Sequence, residues 1–205
     1  MKKIIIIVAL LLSGGASAWA QCNPVPASYR AYNYGALTLR KDLIGQIPHY
    51  EGWPGYVQSK NIVDTEGNSI MYFSTIESGI AAWWAWFDRK GFRYDAPITL
   101  RQIAAIYGDG IERKIRVYVD QWSGLSEAYF GHKLSIDEPI NLADKGDRWA
   151  LAQTMFRHES GPGCPLPFDQ NTFERGLRLA HAHLQKRDPI TMKSDINIQA
   201  YRYDD

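Results

Sequence analysis

The chain has 205 residues, a formal net charge of +1 at pH 7 and 45% hydrophobic residues. This length and composition predict one domain with a sizeable core. The near-neutral charge, without a basic stripe or tail, argues against nucleic acid as a partner. Tryptophan and tyrosine are frequent, with 7 and 12 copies, and such side chains either fill a core or stack on flat ligands such as sugar rings.

The N-terminus has the pattern of an export signal. Two lysines precede an apolar run from Ile4 to Leu12, and small residues follow up to Ala18-Trp19-Ala20. This predicts a signal peptide over residues 1–20, cut before Gln21, and therefore a periplasmic or secreted protein. An uncleaved anchor and a lipoprotein modified at Cys22 are the alternatives, although Gln21 is not the small residue that a lipobox needs.

The chain beyond the signal has two cysteines, Cys22 and Cys164. In an oxidising compartment the two are expected to pair. A bridge closing a loop of roughly 140 residues would stabilise the fold by about 4–5 kcal/mol in the chain-entropy model. The alternative is that Cys164 is a catalytic thiolate, which would need a positive site or a helix N-terminus to lower its pKa.

The first part of the exported chain predicts loops and short strands. Residues 21–28 contain two prolines and predict an extended arm, and Asn33-Tyr34-Gly35 predicts a turn. Residues 70–73 predict a strand, paired with residues 56–63 as a hairpin across the polar turn at 64–68.

From Ser74 onward the apolar residues recur at helical spacing and predict five helices. The first begins at Ser74 or Thr75 and ends at Gly91, and the second opens with a capping box from Thr99 to Gln102. The others cover about residues 111–123, with Gly124 as C-cap and an irregular stretch at 126–138, then 148–158 and 172–186. The prediction is a mainly α (α+β) domain over residues 21–187 with a small N-terminal β-hairpin region, followed by a polar tail over residues 188–205.

Six short motifs follow one another along residues 30–182. They are N-Y-G-A-L from Asn33, W-P-G from Trp53, F-x-T-x-E-x-G-I-x-A from Phe73, T-L-x-x-I from Thr99, M-x-x-x-E-x-G from Met155 and G-L-x-L-A from Gly176. In this order they resemble the phage virion "structural protein P5" family, whose members are lysozyme-like or lytic-transglycosylase-like. The resemblance implies a lysozyme-like helical fold and peptidoglycan as the substrate. The sequence departs from the family at Thr38, where arginine is usual, and at residues 106–110, where the family has W-A-P and an asparagine.

Glu159 is the first candidate for the chemistry that this resemblance implies. Cleavage of a glycan strand needs an acid at the glycosidic oxygen, and a hydrolase needs a second carboxylate. Glu159 ends an apolar helix, and its E-S-G run resembles the one around the catalytic glutamate of many lytic transglycosylases. An apolar setting and a helix C-terminus both favour the protonated form. Alternatively, Glu159 hydrogen-bonds the following loop or pairs with Arg157 or Arg175.

Glu77 is the second candidate, as a supporting carboxylate. Its alternative is structural, because with Ser74 as N-cap it would complete a capping box. Glu51 is a third carboxylate beside an aromatic loop.

Trp53, Tyr56 and Tyr34 are candidate sugar platforms, with packing as the alternative. His158 could orient Glu159 or act only as a helix-end residue.

The sequence predicts neither a cofactor nor a metal site. His181 and His183 lie on different faces of their helix, and no H-E-x-x-H motif is present. Two other classes stay open beside an enzyme: a catalytically silent wall-binding or assembly module, and an inhibitor or immunity-type partner. The tail is a possible site for a protein partner.

Overall fold

The computed structural model describes residues 22, 25–39, 53–57, 60, 62–63, 69–89, 92, 96–108, 110–160 and 164–184. The predicted signal peptide, Glu51 and the predicted tail lie outside these residues.

The described chain is mainly helical with a small sheet, which confirms the predicted fold class. The order of elements is α1 (Ala27–Arg30), β1 (Thr38–Leu39), β2 (Ile62–Val63), β3 (Ser69–Ile70), α2 (Ile76–Arg89), α3 (Leu100–Tyr107), α4 (Glu112–Phe130), α5 (Lys145–Ser160) and α6 (Gln170–Leu184).

The sheet is antiparallel with the strand order β1-β3-β2. Ile62 and Thr38 flank Ile70 from the two sides, and a bridge between Tyr56 and Phe73 extends the β2–β3 hairpin. The predicted hairpin is therefore confirmed. The sequence missed β1, because two residues are too few to show the alternation that identifies a strand, and it missed α1 at the end of the predicted arm.

The helix starts follow local capping rules. Thr99 Oγ1 accepts from the Gln102 backbone N–H at 3.3 Å and Gln102 Oε1 accepts from the Thr99 N–H at 2.9 Å, so the predicted capping box of α3 is confirmed. At α2 the cap is Thr75, whose Oγ1 accepts from the Ser78 N–H at 3.1 Å. Glu77 therefore occupies the second helical position, and its predicted capping box with Ser74 is wrong.

Helix α4 is longer than its sequence pattern predicts. It passes through Gly124 and ends at Gly131, which has φ of 75°. Two buried serines hold the extension: Ser126 Oγ accepts from the Leu134 N–H at 2.8 Å, and Ser123 Oγ donates to the Leu134 carbonyl at 2.6 Å. This contact with the returning chain outweighs the weak helix propensity of Gly124, so the predicted C-cap there is wrong.

Helix α5 contributes six buried residues to the core. Asp144 caps its start by accepting from the Gly146 and Asp147 N–H groups at 2.7 and 3.0 Å. Its buried residues cover most of the helix circumference, whereas Trp149, Gln153 and Arg157 on the remaining side are half-buried. The buried residues are Ala150, Leu151, Ala152, Thr154, Met155 and Phe156.

Helices α2 and α6 pack in direct contact, which fixes the start of α2. A Cβ on Gly176 would lie 2.6 Å from Ile80 Cγ2, so only glycine permits this approach of the two backbones. A Cβ on Gly79 would come even closer to its neighbour, the carbonyl oxygen of Tyr32 in the turn after α1. The first turn of α2, with Glu77, is thereby held against α6.

The predicted disulfide is present between Cys22 and Cys164, with the Cα atoms 5.2 Å apart across 142 residues of sequence. Tyr29 Oη adds a hydrogen bond to the Cys164 carbonyl at 3.3 Å. The bridge ties the N-terminal arm to the loop after α5. Because both sulfurs are bonded, Cys164 is not a catalytic thiolate in this structure.

Candidate functional site

Glu159 lies in the last turn of α5, at the end of the helix side formed by Ala152, Met155 and Phe156. Those three side chains are 0, 1 and 0% exposed. Glu159 follows them at i+7, i+4 and i+3, so its stem continues the apolar side. The side chain itself is half-buried, which places a carboxyl at the border between core and solvent.

The Glu159 carboxyl has no hydrogen bond or ion pair with any residue that the structure describes. Burial raises its pKa from 4.5 to about 7, and no charged group contributes to that change. The negative end of the α5 dipole acts in the same direction. At neutral pH the group is therefore divided between its acid and its base, the condition that general acid–base catalysis requires.

The alternative in which an arginine neutralises Glu159 is wrong for Arg175. That guanidinium binds Glu77 instead, with Nε and Nη2 at 3.1 and 3.0 Å from Oε1. Arg157 makes no contribution to the pKa of Glu159 either. Glu159 is thus half-buried without a described partner of the kind that a structural carboxylate normally has.

Glu77 sits in a different electrostatic setting. It is half-buried in the first turn of α2 and forms an ion pair with Arg175. Arg175 is itself oriented by a hydrogen bond to Thr172 Oγ1 at 2.9 Å. The charge of Glu77 does not contribute to the pKa of Glu159, so the two carboxyls are not a coupled acid pair.

His158 belongs to an aromatic group and makes no hydrogen bond to Glu159 among the described contacts. Its ring centroid lies 5.3 Å from that of Tyr118 and 5.9 Å from that of Trp122. Burial lowers its pKa, which keeps the imidazole neutral at neutral pH. Among the described residues, no contact is present through which His158 would orient the Glu159 carboxyl.

Two predicted sugar platforms are core residues. Tyr34 is 0% exposed, with its ring 4.7 Å from Phe168, and burial raises the pKa of its hydroxyl. Trp53 is 4% exposed and packs on His183, with the two ring centroids 4.2 Å apart. Neither ring has a face open to a sugar, so both predictions are wrong. Tyr56 is half-buried beside Phe73 and stays a candidate sugar platform.

Other aromatic rings form a row that ends at His158, the sequence neighbour of Glu159. We call Trp86, Tyr107, Tyr118 and His158 the aromatic ledge. All four are half-buried, and successive ring centroids lie 4.6, 5.9 and 5.3 Å apart. The sequence analysis missed the ledge because its members come from four helices and share no local motif.

The aromatic ledge rests on the core through a fixed contact. Trp83 Nε1 donates to Tyr107 Oη at 2.9 Å, and the Trp122 ring stacks on Tyr118 with centroids 5.0 Å apart. Both tryptophans are fully buried. The partly exposed rings are therefore held in place by rings that solvent does not reach.

A cleft of about 350 Å³ lies elsewhere, near the start of α5. Its lining includes Trp84, Leu142, Arg148, Glu174, Arg178 and His181, and neither Glu159 nor Glu77 belongs to it. The Glu159 carboxyl and this cleft are therefore separate features of the described surface.

Neither a metal-binding cluster nor a membrane-spanning helix is found in the described ranges. They hold no group of three His, Cys, Asp or Glu side chains that could bind a metal ion. None of their helices is both long and apolar enough to cross a membrane.

Comparison with known protein families and with curated protein sequences finds no match for this chain.

Proposed function

We propose that this protein cleaves the glycan strands of peptidoglycan, with Glu159 as general acid/base. The observation that carries the proposal is the half-buried Glu159 carboxyl, whose pKa of about 7 arises from burial alone. Strongly shifted carboxyls without a structural partner are concentrated at functional sites. The resemblance of the M-x-x-x-E-x-G run to peptidoglycan-degrading proteins and the predicted export signal point to the same substrate.

The electrostatics favour a lytic transglycosylase over a hydrolase with two carboxylates. Protonated Glu159 would donate its proton to the glycosidic oxygen while the C1–O bond breaks. The resulting carboxylate would then accept the proton of the sugar's own hydroxyl, whose oxygen bonds to C1 and closes an anhydro ring. This sequence needs one carboxyl that titrates near neutrality, and it ends with Glu159 protonated again. Glu77, held by Arg175, would position or stabilise without transferring the proton.

The aromatic ledge supports a saccharide as the ligand. A sugar ring has an apolar C–H face, and burying that face on an aromatic ring removes both from water. His158 precedes the acid in the sequence of α5, and its ring lies 5.3 Å from that of Tyr118 on α4. The neutral His158 ring adds no charge that would lower the pKa of Glu159.

Digestion of purified peptidoglycan tests the proposal, with soluble fragments identified by mass. The protein from Gln21 on contains every described residue and is compared with Glu159→Gln and Glu77→Gln. Glu127→Gln, an exposed change on α4, is the control for loss of one charge. We expect anhydro-sugar ends from the wild type and the control, and at least a hundredfold loss in Glu159→Gln, in the range of general acid catalysis.

One observation favours a second candidate, a wall-binding module without catalysis: the cleft of about 350 Å³ does not contain Glu159. If the wild type sediments with peptidoglycan but releases nothing, the enzyme proposal fails and this candidate replaces it. Reducing ends that disappear in both glutamate variants would instead establish a hydrolase with two carboxylates.

A further inference from the structure

The cleft near the start of α5 has an apolar floor and a charged rim. Leu142 and Leu177 form the floor and are 1 and 5% exposed. Trp84 closes one side, with its Nε1–H donated to His181 Nε2 at 3.3 Å. The volume of about 350 Å³ lies within the range of small-ligand sites, roughly 300–1,000 Å³.

Arg148 is fixed in the wall of the cleft with donors to spare. Its Nε and Nη2 donate to Glu174 at 3.0 and 2.6 Å, and its Nη1 donates to the Ala143 carbonyl at 3.1 Å. A guanidinium carries five N–H groups, so two remain beyond these three bonds. The side chains of Arg148 and Glu174 are 14 and 16% exposed. Because the pair is largely buried, the spare N–H donors are held in one geometry.

Arg178 also lies on this rim, and Glu174 pairs with Arg148 and not with it. It lies one turn beyond Glu174 on α6 and is exposed, and it forms no hydrogen bond or ion pair with any residue in the described ranges. The Arg148–Glu174 pair is internally balanced. The rim therefore offers the exposed charge of Arg178 and not a strongly basic patch.

We propose that this cleft binds the free carboxyl end of a peptide that has a compact apolar last residue. The carboxylate would pair with Arg178, the preceding amide carbonyl would accept from the spare donors of Arg148, and the apolar side chain would cover Leu142 and Leu177. A phosphate fits less well, because a dianion meets a single exposed arginine, Arg178, and the apolar floor offers it no hydrogen bonds. The inference does not depend on the proposed glycan chemistry at Glu159.

The test is a titration followed by NMR at the indole N–H of Trp84, which is assigned by its absence in Trp84→Phe. The probes are acetyl-alanyl-leucine, the same peptide with a C-terminal amide, and inorganic phosphate. We expect a saturable shift with the free acid and about fivefold weaker binding of the amide, the scale of one solvent-exposed ion pair. Phosphate is expected to give no saturable shift.

Arg178→Gln should weaken binding of the free acid about fivefold and leave the amide unchanged. Arg116→Gln removes an exposed arginine of α4, whose side chain is 75% exposed, and should change neither. Equal affinity for acid and amide, an unchanged affinity in Arg178→Gln, or the absence of a shift at Trp84 would overturn the assignment. Saturation by phosphate would make the cleft a general anion site and would overturn it as well.

Discussion

Replacing Glu159 by glutamine should stabilise the folded protein at alkaline pH. The pKa of Glu159 is about 7 in the fold against an ordinary value of 4.5. Each unit of difference corresponds to about 1.4 kcal/mol between the two protonation states. The folded wild type therefore loses about 3 kcal/mol when the group is fully ionised, and glutamine, which has nearly the same shape without the charge, avoids this loss.

The sign follows from where the proton is bound. Below pH 4.5 both the folded and the unfolded chain hold the proton, and the group makes no difference. As the pH rises from 4.5 to 7 the unfolded chain releases its proton first, so the free energy of unfolding falls. Above pH 7 Glu159 is ionised in both the folded and the unfolded chain, and the full loss of about 3 kcal/mol in the free energy of unfolding remains.

Urea unfolding followed by tryptophan fluorescence measures this difference. We expect Glu159→Gln and the wild type to agree at about pH 4 and to differ by about 3 kcal/mol at about pH 8.5, with the variant more stable. His158, whose pKa is lowered by burial, is present in both proteins and cancels. Glu127→Gln reports the effect of losing one exposed charge. A gap that does not change with pH, or a less stable variant at pH 8.5, would refute the assignment of burial as the cause.

Three variants test the fold in the same urea unfolding assay. Gly124→Ala should stabilise the fold by about 0.5–1 kcal/mol, because the added Cβ meets no other atom and lies inside α4. Gly131→Ala should destabilise the fold by about 1 kcal/mol, because φ at this position is 75°. If both variants changed the stability in the same direction, a helix that continues through Gly124 would be contradicted. Replacing Cys22 and Cys164 together by serine should cost about 2–5 kcal/mol, since the bridge spans 142 residues of sequence; an unchanged urea midpoint would show that the bridge does not stabilise the fold.

Features that depend on neighbours in sequence were predictable. The capping box at Thr99 involves groups three residues apart, and the β2–β3 hairpin pairs strands that are only a few residues apart in the sequence. The disulfide was predictable for a different reason, because only Cys22 and Cys164 exist to form it. Glu159 was identifiable as a candidate because an apolar helical pattern ends in a carboxyl.

The tertiary structure decided the features that depend on distant contacts. The extent of α4 depends on Leu134, which returns to bind Ser123 and Ser126. The burial of Tyr34 depends on Phe156 and Phe168 far along the chain. Capping and periodicity record interactions within one or two turns, so the sequence by itself determined most of the helices and the candidate acid. The pKa of that acid, the aromatic ledge and the cleft come from surfaces of separate helices, whose packing no local pattern records.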